Sequence, residues 1–218
     1  SLTAAERMAI AGPFDRVTFA RDMVIVFEGA PPHWLYVVTD GFIKLLKHSA
    51  EGREVILHVA TSGDLIGGVS AFGRRPHPFT AKAMVRSQAL RIGGPEFARI
   101  MKEHPAVASH TVTLLIDELT EAHETAKSLA TEKVERRIAR QLTKLAVRLG
   151  RATSDGLEIA VPLARQEVAD MAGTTVESAI RVLSRWRRSG LVKTVVGRLV
   201  VLDMAAVGAL ADDPELEP

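Results

Sequence analysis

With 218 residues, the chain has room for one large domain or two modest ones, each with its own buried core. A formal charge of +2 is too small by itself to argue for a nucleic-acid partner, and the absence of cysteine excludes disulfides, thiol catalysis and cysteine-ligated zinc or iron–sulfur clusters. No apolar run is long enough to span a bilayer and no basic-then-apolar leader opens the chain, so a cytoplasmic protein without a membrane partner is expected.

Residues 1–12 pattern as a short helix capped by Thr3, with Glu6 three residues on. From Asp15 to about Ile92 short β-prone runs alternate with turn signals: "MVIVF", "WLYVV", "FIKLLK", "EVILHV", "FTAKAMV" and "QALRI". Glycines 29, 41, 52 and 63 recur every 11 or 12 residues, the spacing of an all-β barrel or jelly roll. Lys44 and Lys47 read as outward-facing strand residues, and His33 and His77, beside prolines in loops, as solvent-exposed. Pro95 opens a helix that ends before Pro105, and a long helix follows from about Ala106 to Leu129. Its stripe Val112, Ile116, Leu119, His123, Ala126 and Ala130 drifts as a coiled-coil seam does, which marks a dimer interface or a face packed on the barrel. A further helix, "EKVERRIARQLTKLAVRLG", stops at Gly150, "TSDG" is a loop, and "LEIAV" is a strand.

Residues 163–202 parse as helix, tight turn, helix and two-stranded wing. The first helix buries Val168, Met171 and Ala172 and stops at Gly173, the residue type best suited to a left-handed turn. Thr174 or Thr175 starts the second, whose apolar residues Ala179, Val182, Leu183 and Trp186 share one face. Its other face carries Glu177, Arg181, Ser184 and Arg188, and between Thr174 and Arg198 six basic residues stand against one acid. Taken alone, such a helix is as readily a solvated amphipathic one, with Glu177 paired to Arg181 or boxed with Thr174. The glycine-punctuated turn and the basic wing favour a helix-turn-helix whose second helix enters a DNA major groove. Arg can donate two bonds to guanine and Glu can accept one from cytosine N4, so Glu177 and Arg181 suit one G·C pair.

A jelly roll, a long helix and a winged helix-turn-helix, in that order, resemble the CRP/FNR family of bacterial transcription regulators over essentially the whole chain. "VIVFEGAPPHWLYVVTDG" is similar to the family's cyclic-nucleotide-binding signature, with Gly29, Leu35 to Val38 and Gly41 matching and Pro32 where a small residue is usual. "RQEVADMAGTTVESAIRVLSRWRRSGLV" follows its helix-turn-helix pattern. The resemblance implies an α+β fold: a β-roll sensor domain (double-stranded β-helix) over 1–105, a dimerisation helix over 106–130, a winged helix-turn-helix over 131–211 and an acidic tail over 212–218. It implies a homodimer on a palindromic DNA operator, with RNA polymerase as a further partner of an activator. Carried over position by position, Val176, Glu177, Ile180 and Arg181 read bases, with half-sites that keep the central "GA" of TTGAT. Gln166, Thr175, Arg188 and Arg198 hold phosphates, while Ala164 replaces a capping hydroxyl residue.

The effector loop departs from the family's cyclic-AMP sensors. In "GDLIGGVSAFGRRPHPFTAKA", Gly68 replaces the ribose-binding Glu, Phe79-Thr80 replaces the phosphate-neutralising Arg-Ser, and Ala122-His123 stands where a Thr-Ser pair meets adenine. Cyclic AMP bound in the usual way is therefore not expected. Gly67, Gly68, Val69 and Ser70 offer approachable N–H groups and a hydroxyl for a small organic anion, as in the family's 2-oxoglutarate-responsive branch, with Arg74 and Arg75 nearby in the loop. Haem remains open through histidine, His123 being the candidate, whereas an iron–sulfur cluster is not expected. A chain with no effector stays open as well. Two further classes are a cupin-like jelly-roll enzyme or ligand store, for which only His48 and His58 lie on strands, and a scaffold that pairs with another regulator.

Overall fold

The computed structural model describes residues 10–50, 52–73 and 75–213. Most of the helix expected over residues 1–12, with Thr3 and Glu6, lies outside the described residues, as do Arg74 and the acidic tail from 214 onward. The fold is mixed α and β, and the chain divides into two units, residues 1–51 with 57–122 and residues 52–56 with 123–218.

Eight strands, all in the first unit except residues 54–56 at the start of β5, come first: β1 (Asp15–Phe19), β2 (Val24–Val26), β3 (Trp34–Asp40), β4 (Ile43–His48), β5 (Glu54–Ala60), β6 (Leu65–Ile66), β7 (Thr80–Ala83) and β8 (Ser87–Gly93). They form two four-stranded sheets, ordered β1-β8-β3-β6 and β2-β7-β4-β5. Inward residues of both sheets, among them Phe19, Tyr36, Val38, Ile43, Leu45, Ala81 and Ala89, make one apolar cluster, the sheet-on-sheet packing of a jelly roll. The turn glycines are what allow so many short strands. Gly41 shows the constraint: its φ is +86°, and a Cβ there would lie 2.7 Å from the Ser87 Cα. Ser87 is itself fully buried and accepts a hydrogen bond from the Phe42 N–H at 3.2 Å.

Two expectations fail here. Lys44 is buried, because Ile43 to Leu46 are buried on both faces of β4, whereas Lys47 near its end is exposed and pairs with Glu28. His77 is only 3 % exposed. Its backbone is stitched to the loop before β3, donating to the Ala30 carbonyl at 2.9 Å and accepting from the Gly29 N–H at 2.8 Å, and this draws the ring inward despite the flanking prolines. His33 is exposed, as expected.

Within the loop after β6 a short helix forms, α1 (Gly68–Gly73), and α2 (Gly94–Glu103) follows β8 with Pro95 in its first turn. Phe97 and Ile100 of α2 pack with Leu35 and Ile92 in a second cluster. The long helix α3 (Pro105–Thr131) has 27 residues and contains the boundary between the two units.

In the second unit come α4 (Val134–Leu149), β9 (Gly150–Thr153), β10 (Gly156–Ile159), α5 (Arg165–Met171), α6 (Val176–Arg188), β11 (Val192–Val195), β12 (Arg198–Val201) and α7 (Met204–Asp212). The two wing strands are half of a four-stranded antiparallel sheet ordered β11-β12-β10-β9. Ile138, Leu142, Ile159, Val168, Trp186 and Val201 are all essentially inaccessible and form the core behind α5 and α6. Each such aliphatic side chain contributes about 1.5–3 kcal/mol by leaving water.

Candidate nucleic-acid interface

The helix-turn-helix is built from local rules. Ala164 caps α5 without a side-chain acceptor, but its N–H donates to the Glu167 carboxylate at 2.6 Å, so half of a capping box survives the missing hydroxyl. After α5 the chain turns at Gly173, with φ +58°, and the Thr175 hydroxyl caps α6 by accepting from the Ser178 N–H at 3.3 Å. Ala179, Val182, Leu183 and Trp186 are buried, which fixes the rotation of α6. The Trp186 Nε1 donates to Glu135 Oε1 on α4 at 2.7 Å, anchoring the helix by a polar bond as well.

The opposite face is largely exposed. Glu177, Ile180 and Arg181 are exposed and Val176 is half-buried. Glu177 accepts from its own backbone N–H and from the Thr175 hydroxyl, which hold its carboxyl below the usual range, so at neutral pH it is a pure acceptor. Arg181 donates from Nη2 to the Ser178 hydroxyl at 2.8 Å, a bond to a small neutral group that is easily exchanged for a base edge. Among the described residues, Arg181, Arg187 and Arg188 form no salt bridge, while Arg185 is engaged by Glu135.

The expected phosphate contacts are less uniform. Thr175 and Arg188 are exposed, but Gln166 donates its amide to Asp170 at 2.7 Å and Arg198 is paired with Glu158 at 2.9 Å. A shallow basic cleft that the sequence reading missed lies between α6 and the wing, lined by Arg165, Ser184, Arg187, Lys193 and Thr194. Arg165 reaches the Thr194 hydroxyl there at 3.0 Å. Its sequence signal was a basic first residue in α5, legible only once the wing is folded against α6.

In the first unit, the loop singled out for an effector is tightly built. Gly67, at φ +87°, brings its backbone against the Trp34 carbonyl and the His77 ring. Gly68 and Ser70 are buried, and Val69 is exposed. The Ser70 hydroxyl and the His77 Nδ1 are buried without a hydrogen-bond partner among the described residues, and burial followed by the nearby His33 lowers the His77 pKa. Phe79 belongs to the apolar core and the Thr80 hydroxyl accepts from the Glu28 N–H at 3.1 Å. His58 lies against Glu121 at 3.0 Å and Asp64 at 3.7 Å, and burial raises the pKa of the neighbouring Glu118. His123 is exposed on α3, as are Val112, Ile116, Leu119 and Ala126, the first three at 55–57 %. Among the described residues no helix is long and apolar enough to cross a membrane.

A β-roll of this topology followed by a winged helix-turn-helix with an exposed basic face is the arrangement of a DNA-binding regulator. Residues 16–104 match the cyclic nucleotide-binding domain family and residues 136–210 match the Crp-like helix-turn-helix domain family. The transcriptional regulator LdrP from a strain of Thermus thermophilus is 30 % identical over 201 residues, covering 87 % of this chain and 93 % of that one. The nitrogen fixation regulation protein FixK of Bradyrhizobium diazoefficiens is 28 % identical over 211 residues, covering 97 % and 88 %. Among solved structures, FixK2 from Bradyrhizobium japonicum superposes with a TM-score of 0.80 at 22 % identity, covering 90 % of this chain and 96 % of that one. The chain belongs to the CRP/FNR family of transcription regulators; it is a DNA-binding regulator and not an enzyme.

Proposed function

We propose that this regulator acts as a homodimer that reads a palindromic, TTGAT-like operator with α6, under the control of a small effector other than conventionally bound cyclic AMP. One observation carries the reading: Glu177 and Arg181 stand exposed, one turn apart, on a helix whose other face is locked by Trp186 and its neighbours. That pair suits a G·C base pair, and Ile180, 43 % exposed, suits a thymine methyl. The exposed apolar stripe Val112, Ile116, Leu119 and Ala126 supports pairing of two α3 helices, which would set the two α6 helices about 34 Å apart on one face of the duplex.

The effector reading rests on the loop. Gly68 supplies no carboxylate for a ribose, and the Phe79 ring and the Thr80 hydroxyl are both occupied within the fold. The backbone of Gly67, Gly68 and Ser70 is buried, so the anion reading rests on the unpartnered Ser70 hydroxyl inside the loop. Selection from a randomised duplex library by the purified chain, repeated over a salt series, tests the reading. A TTGAT-like palindrome retained at high salt supports it; sequence-blind binding that fades with salt, with and without added dicarboxylates, counts against it.

A further inference from the structure

The second unit contains a clasp that the reading face itself does not explain. Arg137, in the first turn of α4, sends its guanidinium to three backbone carbonyls at once. Nη1 donates to Glu132 O at 2.6 Å, in the break between α3 and α4. Nε donates to Ala172 O at 2.8 Å and Nη2 to Gly173 O at 3.2 Å, the two carbonyls of the turn between α5 and α6. One side chain thus joins the end of the long helix to the turn that launches the recognition helix.

The same two places also meet through apolar contact. A Cβ on Gly173 would lie 2.5 Å from Leu129 Cδ2, so the last full turn of α3 is seated directly on the turn. Beside it, the Glu132 carboxylate, in a residue only 6 % exposed, binds the Ser128 hydroxyl of α3 together with Arg136 and Arg140 of α4. Arg136 in turn donates to Ala211 O, in the last turn of α7, at 2.9 Å. The break between α3 and α4 is therefore held from both sides and is not a loose linker.

We infer that Arg137 is a positioning residue for DNA reading: its three-carbonyl fork, with Leu129 on Gly173, sets the direction of α6 from the end of the long helix. A planar fork with donors in fixed directions is needed, which Lys cannot supply and Gln can supply only in part. Coupling between a sensor unit and a reading helix needs a physical path with few soft joints, and this clasp removes the joint that the helix break would introduce. The inference rests on α6 being the reading element.

The test compares full-length wild type with Arg137→Lys, Arg137→Gln and Arg181→Ala on the library-selected operator and on scrambled duplex, with salt slopes and thermal unfolding for each. Arg137→Gln is expected to weaken operator binding at least tenfold while changing scrambled binding less than threefold, keeping the wild-type salt slope and the wild-type order of preferred bases. Arg137→Lys should recover only a minor part of the loss. Arg181→Ala, by contrast, should lose preference at one base position. Operator affinity within twofold of wild type in folded Arg137→Gln overturns the inference and leaves Arg137 a stabiliser of the unit. A salt slope reduced by about one also overturns it, by making Arg137 a phosphate contact. Should Arg137→Gln unfold the unit, Leu129→Ala is read the same way, since it loosens the seat on Gly173 and leaves every charge in place. A wild-type chain that does not discriminate operator from scrambled DNA removes the α6 reading itself, a result the variants cannot mimic.

Discussion

Trp186 is where recognition helix, core and polar anchoring meet, and replacing it separates their contributions. The side chain is 1 % exposed and its Nε1 donates to Glu135 at 2.7 Å. Trp186→Phe keeps a ring in the core but deletes that donor. A hydrogen bond to a charged group is worth about 1.5–3 kcal/mol, and the part-exposed Glu135 carboxylate recovers some of this from water, leaving a loss of roughly 1–2 kcal/mol. The smaller ring also buries roughly 40 Å² less apolar surface, about 1 kcal/mol. Trp186→Phe should therefore cost about 2–3 kcal/mol, and Trp186→Ala about 3–5 kcal/mol through the cavity it leaves. Glu135→Gln retains an acceptor for the indole and gives up only an ion pair to the mostly exposed Arg185, so its cost should stay under about 1 kcal/mol. Scanning calorimetry and urea titration of the full chain, with the transition of each unit fitted separately, give the three values. A Trp186→Phe loss below that of Glu135→Gln would refute the role given to the Nε1 bond.

Three other outcomes follow from the same structure. Burial pushes the Glu118 pKa up, with Asp64 and Glu121 adding to the rise and His58 opposing it. Its folded pKa lies above the unfolded one, so the β-roll unit gains stability as pH falls through that raised value; Glu118→Gln should stabilise the unit near pH 7 and flatten this gain on acidification. Glu132 has the opposite sign. Burial raises its pKa, but hydrogen bonds from Arg140 and Ser128 and the charges of Arg140 and Arg136 outweigh this and leave it lowered. Its contribution is complete above the pKa of an unfolded glutamate and is lost as pH falls through the depressed folded value, so Glu132→Gln should remove part of the acid-side slope in the DNA-binding unit's melting temperature. Gly41→Ala meets both a left-handed φ and the Ser87 backbone, and should cost the β-roll unit about 2–4 kcal/mol by urea titration.

The helix α6 was legible because three independent signals coincide in a short stretch: a 3.6-residue apolar period, a glycine at the turn and a one-sided run of arginines. The jelly roll was legible from evenly spaced turn glycines, although the two-residue strand β6, the strand β1 and the six-residue helix α1 were not. β6 and α1 carry too few residues to show a period, and β1 opens on the charged Asp15 and Arg16 without an apolar run. β9 was hidden because "RATSD" is polar and follows a strong helix without an apolar alternation. Lys44 and His77 misled for a shared reason: their residue types signal exposure, whereas a strand covered on both faces and a pair of backbone hydrogen bonds decide otherwise. The clasp of Arg137 could not be read at all, since it joins residues 35 and 36 positions apart through backbone carbonyls that leave no trace in side-chain chemistry.

The most direct test of sequence reading by α6 is a matched pair of variants, Arg181→Ala and Arg188→Ala, titrated on the selected operator, on single-base variants of it and on scrambled DNA at several salt concentrations. Arg181→Ala should weaken operator binding by about 1–3 kcal/mol and abolish preference at one base position, with scrambled binding little changed. Arg188→Ala should weaken all duplexes alike and lower the salt slope by about one. Equal losses on operator and scrambled DNA for Arg181→Ala would contradict the assignment of α6 as the reader.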